Sequence, residues 1–177
     1  EKTVGATTLP AVQVSATRLG ATTEGTESYT TGITNTATKL NLSPRETPQT
    51  ISVITRQQMD DFAMTSVDDA LKATSGVFVL DRGNNGSAYY SRGFALQSQY
   101  NGIPNPIGIS QNNINPQIDN AFLDRVEVLQ GPSGLMSGAG AHGGTINLVR
   151  KRPTREFQAH IEAQGGSWNQ RRVVGDI

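Results

Sequence analysis

The 177-residue chain has no cysteine, which excludes disulfides and thiolate metal sites. It has no surplus of either charge. Fifteen Lys and Arg balance fifteen Asp and Glu, so the basic footprint of a nucleic-acid-binding protein is missing. Aromatic residues are scarce at 6% and hydrophobic ones reach 35%. With 19 glycines and 8 prolines, this composition predicts a modest core, many turns and long irregular segments. No run approaches the ~20 apolar residues of a membrane-spanning helix. No secretory leader opens the chain, and Val173 and Val174 stand in a strand-like run that is cut short, so a fragment is expected. The two histidines, His142 and His160, lie in separate segments and give no basis for a histidine metal site or a Ser/His relay. Asp60/Asp61 and Asp68/Asp69 are adjacent pairs. Neighbours on a helix diverge, so they read as solvated or helix-start charges, not as a shared acid–base site. The chain is not expected to be an enzyme.

What is present falls into three stretches. Residues 1–44 are rich in Thr, Ser, Gly and Ala; they bury too little to offset ordering entropy and are expected to be extended and mobile. Within them, residues 9–17 alternate around Val12 and Val14 after a proline, which reads either as an isolated β-capable peptide or as linker. The compact part is expected over residues 45–153. Residues 50–55 (TISVIT) form a strand by composition, and Thr55 with Gln58 fits a capping box. Thr65/Asp68 and Ser66/Asp69 repeat that signature ahead of an apolar face of Val67, Ala70 and Leu71, with Gly76 as the helix stop. Residues 77–80 predict a short buried strand and 88–92 another. Residues 95–120 show no periodicity and predict a functional or disordered loop. Residues 123–129 (LDRVEVL) alternate, with Val126 and Val128 on one face. The glycine-rich stretch 131–144 lacks the lysine of a phosphate-binding loop. It predicts tight backbone packing before a last strand at 145–149. After Pro153 the period becomes two: Phe157, Ala159, Ile161 and Ala163 alternate with polar residues, then a Gly165–Gly166 turn and Trp168. That pattern suits a transmembrane β-barrel hairpin or an ordinary soluble one.

Five motifs now stand in one order: residues 45–61 (RETPQTISVITRQQMDD), 91–94 (SRGF), 101–104 (NGIP), 124–132 (DRVEVLQGP) and 143–153 (GGTINLVRKRP). Together they resemble the plug of TonB-dependent outer-membrane ferric-siderophore receptors, with residues 29–56 most like the ferric-pyoverdine and hydroxamate-type members. The resemblance implies an α+β fold: a small mixed-sheet plug with short helices, inside a 22-stranded barrel that this chain would only begin, over residues 154–177. It implies a TonB box at Leu9, Pro10, Ala11, Val12, Gln13, Val14, Ser15, Ala16 and Thr17, facing the periplasm and open to strand addition by the TonB periplasmic domain. It implies plug–barrel ion pairs at Arg92 and Arg125. It also implies siderophore contacts in apical loops at Arg92, Tyr90, Tyr100, Gln111 and Asn112. Asn101 stands where an aspartate is common and Gln130 where an arginine is common. Iron would stay in its chelate, so no cofactor or resident metal is implied. The partners would be TonB, a ferric siderophore, the barrel and the outer membrane, with no nucleic acid. The alternative is an isolated plug that binds TonB or signals without transport.

Overall fold

A computed structural model describes residues 20–83, 86–105, 114–132, 142–153, 157 and 159–176. The β-branched run Thr50–Thr55 forms β1, as such residues favour the pleated backbone. Helix α1, Arg56–Asp61, follows directly, and the Thr55 side chain accepts the Gln58 N–H at its start. Helix α2, Val67–Lys72, carries a full capping box: the Ser66 hydroxyl accepts the Asp69 N–H and the Asp69 carboxylate accepts the Ser66 N–H. Of the two signatures in the sequence, the Ser66/Asp69 one is used. Asp68 is left buried, where its carboxylate accepts from the hydroxyls of Ser87 and Tyr89. Burial, then that bond, pushes the Tyr89 phenol well above its ordinary range. Helix α2 ends at Lys72 with Ala73 as cap. Gly76, four residues beyond the helix end, bends the chain with φ +76° instead of stopping the helix.

The remaining strands are β2 (Val77–Asp81), β3 (Ser87–Ser91), β4 (Phe94–Ala95), β5 (Gln97–Tyr100), β6 (Ile103–Pro104), β7 (Ile114–Asn115), β8 (Leu123–Gln130), β9 (Gly144–Arg150), β10 (His160–Gly165) and β11 (Arg171–Asp176). A five-stranded sheet runs β1-β8-β9-β5-β6. Its β5–β9 pair is parallel and its other pairs are antiparallel. A smaller sheet joins β2, β3 and β4, with β7 also on β3. The last two strands form a separate antiparallel hairpin.

One face of the larger sheet is apolar. Ile54, Val126, Val128, Ile146 and Leu148 pack there with Met59, Leu71, Tyr89 and Leu96 into one core. At about 25 cal/mol per Å² of apolar area, this layer is what holds the fold together. The opposite face carries a polar row, Glu127, Asn147 and Gln99 on β8, β9 and β5, with Val53 of β1 next to Glu127 and the apolar Ile51–Leu129 pair beside it. Glu127, Asn147 and Gln99 are nevertheless buried.

The cover over that face is the segment expected to be mobile. Residues 20–44 pack against the sheet, and Thr23, Thr31, Thr34 and Thr36 are buried. Among the described residues the packed unit therefore includes 20–44 as well as the expected 45–153. Composition argued against order because it counts apolar area, whereas this segment is held by hydrogen bonds. Two further expectations change. Residues 95–120 contain β4 to β7 instead of one loop, because β5 is polar on a face that meets other polar residues and so shows no hydrophobic alternation. The run 77–80 is not buried on both faces: Phe78 is 61% exposed and Leu80 37%.

Candidate functional site

The first site is a shallow groove on the smaller sheet, lined by Gly76, Val77, Phe78, Leu80, Tyr90 and Arg92. Phe78 and Tyr90 are cross-strand partners, with ring centroids 6.5 Å apart and a 44° tilt. The SRGF motif closes β3 onto β4 with a two-residue turn, Ser91 opposite Phe94. Both turn residues have positive φ, 52° at Arg92 and 84° at Gly93, the geometry of a type I′ hairpin. Arg92 therefore projects from an exposed tip, in a backbone state that suits glycine or asparagine better than arginine. The NGIP motif repeats the device. Asn101 and Gly102, at 50° and 80°, join β5 to β6 with Tyr100 opposite Ile103.

The second site is the junction between the mixed-sheet unit and the terminal hairpin, around a polar cavity of about 210 Å³. The hairpin's Glu162, Gln164 and Arg172 line it together with Arg56, Asp60 and Lys151. Arg172 reaches Asp119 at 2.7 Å. Lys151 bridges Glu24 at 2.7 Å and Asp176 at 2.5 Å. The hairpin's other face is open and, apart from Arg171 beside the turn, apolar, with Ile161 opposite Gly175 and Ala163 opposite Val173. Ile161 is 78% exposed and Val173 75%. Polar inward and apolar outward is the reverse of a soluble hairpin.

Burial opposes ionisation of Asp119, but the Arg172 hydrogen bond, the Ala121 N–H and the charges of Arg172 and Arg56 outweigh it, so its pKa lies below the usual carboxylate range. A lowered folded pKa gives stability that is present above the unfolded value near 3.9 and lost as pH falls through the folded one. The docking of β11 is therefore expected to hold at neutral pH and to loosen only below about pH 4. Hydrogen exchange of β10–β11 amides across pH, corrected for the intrinsic rate, checks this; Asp119→Asn removes the acid transition and loosens docking at pH 7.

The third site lies under residues 20–44. Glu127 is fully buried. Its Oε2 accepts from the hydroxyls of Thr34 (2.6 Å) and Thr36, and its Oε1 from Arg125 Nε at 2.6 Å. Arg125 Nη1 donates to Asp124 at 2.7 Å. The other Asp124 oxygen accepts the backbone N–H groups of Thr23 (2.9 Å) and Glu24 (2.8 Å). Asn147 donates to Thr36 Oγ1 and accepts the Gly102 N–H.

The five proposed chelate contacts do not form one cluster. Tyr90 and Arg92 share the groove. Tyr100 does not: it packs against the core under Arg150, whose guanidinium lies 5.8 Å from the ring centroid. Strand β5 leaves Gln97 beside Thr145 and carries Tyr100 to Leu148, three residues and roughly 10 Å along the sheet at ~3.3 Å per residue. Gln111 and Asn112, the peptide 9–17 and most of the glycine stretch lie outside the described residues. Arg125 is already paired with Asp124 and Glu127 of the same strand. A buried guanidinium needs partners, and β8 supplies them locally. Among the described residues Arg92 has no ion-pair partner. Gln130, with no charge to pair, donates to the Ser75 carbonyl. The sequence reading missed Thr34, Thr36, Asp124 and Glu127 as one network. The signal was the period-two spacing of Thr34 and Thr36, which suits an extended chain laid on a polar strand.

Residues 43–145 match the family described as the TonB-dependent receptor plug domain. The chain belongs to this family. It is 46% identical over 173 residues to the ferripyoverdine receptor of Pseudomonas aeruginosa, covering 96% of this chain and 21% of that one. It is 34% identical to the ferrichrome outer membrane transporter/phage receptor of Escherichia coli K12, covering 94% and 22%. The crystal structure of the Pseudomonas aeruginosa receptor bound to ferripyoverdine superposes with a TM-score of 0.78 at 47% identity, over 87% of this chain and 21% of that one. The plug and its hairpin thus span about a fifth of the length of these relatives.

Proposed function

We propose that this chain is the plug and first barrel hairpin of an outer-membrane receptor that imports a ferric siderophore of the pyoverdine or hydroxamate class, with energy drawn through TonB. The carrying observation is the hairpin's inverted amphipathicity. Its polar side packs on a plug-family sheet and its apolar side faces outward, as a barrel strand between plug and lipid requires. A single hairpin leaves open edges, which lipid does not tolerate, so further strands complete the wall. The chelate stays intact, and the chain binds, gates and couples; no bond is made or broken.

Within this reading Phe78, Tyr90 and Arg92 form the plug's contribution to ligand binding: two flat faces and one cation for a polar, anionic chelate. Tyr100 serves the core instead. Residues 9–17 are the TonB-engaging peptide, added as a strand to its partner. Deleting them in the full receptor is expected to reduce uptake of the radiolabelled ferric chelate to background while cell-surface binding persists. Uptake at the parental rate would overturn the reading.

Arg92→Asn separates ligand recognition from folding. Asparagine tolerates the left-handed turn better, so the hairpin is expected to be unchanged or up to about 1 kcal/mol more stable. Loss of the guanidinium is expected to weaken binding of the ferric chelate about tenfold, measured by intrinsic fluorescence quenching, in line with one charge-assisted contact of about 1.5 kcal/mol. Unchanged affinity would remove Arg92 from the ligand site.

A further inference from the structure

We propose that the turn end of the terminal hairpin binds a lipid-borne phosphate, with the Arg171 guanidinium as its ligand and the Trp168 indole as an anchor in the headgroup layer. The proposal rests on the reading of this hairpin as barrel wall. Strand β11 places two successive arginines on opposite faces. Arg172 turns inward and pairs with Asp119 at 2.7 Å. Arg171 turns outward onto the face of Val173 and Gly175. It is the one charged residue on the outward face of β10 and β11, and among the described residues it has no ion-pair partner. Its cross-strand partner is Gly165, where a built Cβ would meet no heavy atom within 4 Å. The guanidinium therefore stands beside bare backbone, with room for a ligand oxygen.

Trp168 is the second observation. It holds φ 61° and ψ 30°, a left-handed state that is costly for a bulky side chain. Packing within the chain does not offset that cost. The side chain is fully exposed and makes no ring contact among the described residues. Strain of this kind persists where function requires it. An indole pairs an apolar body with one N–H donor, which suits the boundary between hydrocarbon and water. The depth of the turn follows from its backbone. Residues 167–169 lie outside the strand ladder, and unpaired backbone is not tolerated in hydrocarbon, so the turn sits at headgroup level. An arginine on a barrel's lipid face is costly at the bilayer midplane and tolerated near its edge. At that edge its planar fork matches phosphate oxygens. Phospholipids and lipid A both carry such a phosphate.

Native mass spectrometry of the full-length receptor in detergent tests the site, with phosphatidylglycerol, lipid A, diacylglycerol and inorganic phosphate as probes. Arg171→Gln is expected to weaken binding of phosphatidylglycerol, lipid A or both about fivefold. Arg171→Lys is expected to retain most of the affinity, and diacylglycerol, which has no phosphate, to bind parent and variant alike. Loss for one lipid alone identifies the source; loss for both identifies the shared phosphate. Equal affinity of parent and Arg171→Gln for both lipids would overturn the proposal, as would a loss confined to inorganic phosphate or one equally large for diacylglycerol. Trp168→Gly relieves the left-handed turn and is expected to weaken the same lipid; unchanged affinity would overturn the indole's role. A spin label attached through Val173→Cys, read in liposomes, distinguishes failure here from failure of the barrel reading. A label reached by oxygen and shielded from a water-soluble nickel complex upholds the lipid-facing wall whatever happens at Arg171. A label open to the nickel complex would overturn both.

Discussion

Gly144→Ala is expected to lower the stability of the plug by at least about 4 kcal/mol, the upper range for a single substitution. Gly144 begins β9 at φ +119°, a state that side-chain-bearing residues rarely adopt. An added Cβ would lie 2.0 Å from the Leu129 carbonyl oxygen and 3.0 Å from the Gly131 nitrogen. Both are backbone atoms at the end of the β8–β9 ladder, where Gln130 pairs with Gly144. Neither atom can swing aside as a side chain does, so relief requires breaking the ladder next to the buried Thr145 and Ile146. Gly165→Ala is the control. That position has no heavy atom within 4 Å of the built Cβ, and the change is expected within about 0.5 kcal/mol. Opening free energies of β8–β9 amides in the full receptor, from hydrogen exchange, give both values. A loss below about 1 kcal/mol at Gly144 would show that the chain can redirect the turn.

Glu127→Ala is expected to destabilise β8–β9 by about 2–4 kcal/mol, because three buried donors lose a charged acceptor while Arg125 keeps Asp124. The carboxylate is fully buried and serves three donors: Thr34, Thr36 and Arg125. Without it Arg125 keeps its bond to Asp124, and the hydroxyls of Thr34 and Thr36 lose their acceptor. Glu127→Gln keeps the shape and one acceptor oxygen, so it is expected to fall between alanine and the parent. The same exchange measurement applies, read in residues 20–44 and in the sheet together. A loss under about 1 kcal/mol would mean that water or a neighbouring group takes over the acceptor role.

Much of the fold was legible because its signals are local. The TISVIT run, the Ser66/Asp69 capping box, the apolar triad of Val67, Ala70 and Leu71, and the alternation in LDRVEVL each specify an element within a few residues. The hairpin's period of two was legible as well, but not which of its faces turns outward. The packing of residues 20–44 and strand β5 were not. Thr34, Thr36, Gln97 and Gln99 carry no hydrophobic signal, because their burial is justified only by partners elsewhere in the chain: Glu127 lies 93 residues from Thr34. A buried polar residue is favourable only when its partner is present, and no window of sequence contains both.

The candidate site divides the same way. Sequence by itself determined the family, through five ordered motifs. Only the tertiary structure decided that Tyr90 meets Phe78 in a groove while Tyr100 lies under Arg150 on the core. Only it decided that Arg125 is neutralised within its own strand and that residues 20–44 cover a polar sheet face. The physical reason is range. Turn geometry and periodicity act over a few bonds, whereas charge compensation and polar burial are settled by which strands the topology brings side by side.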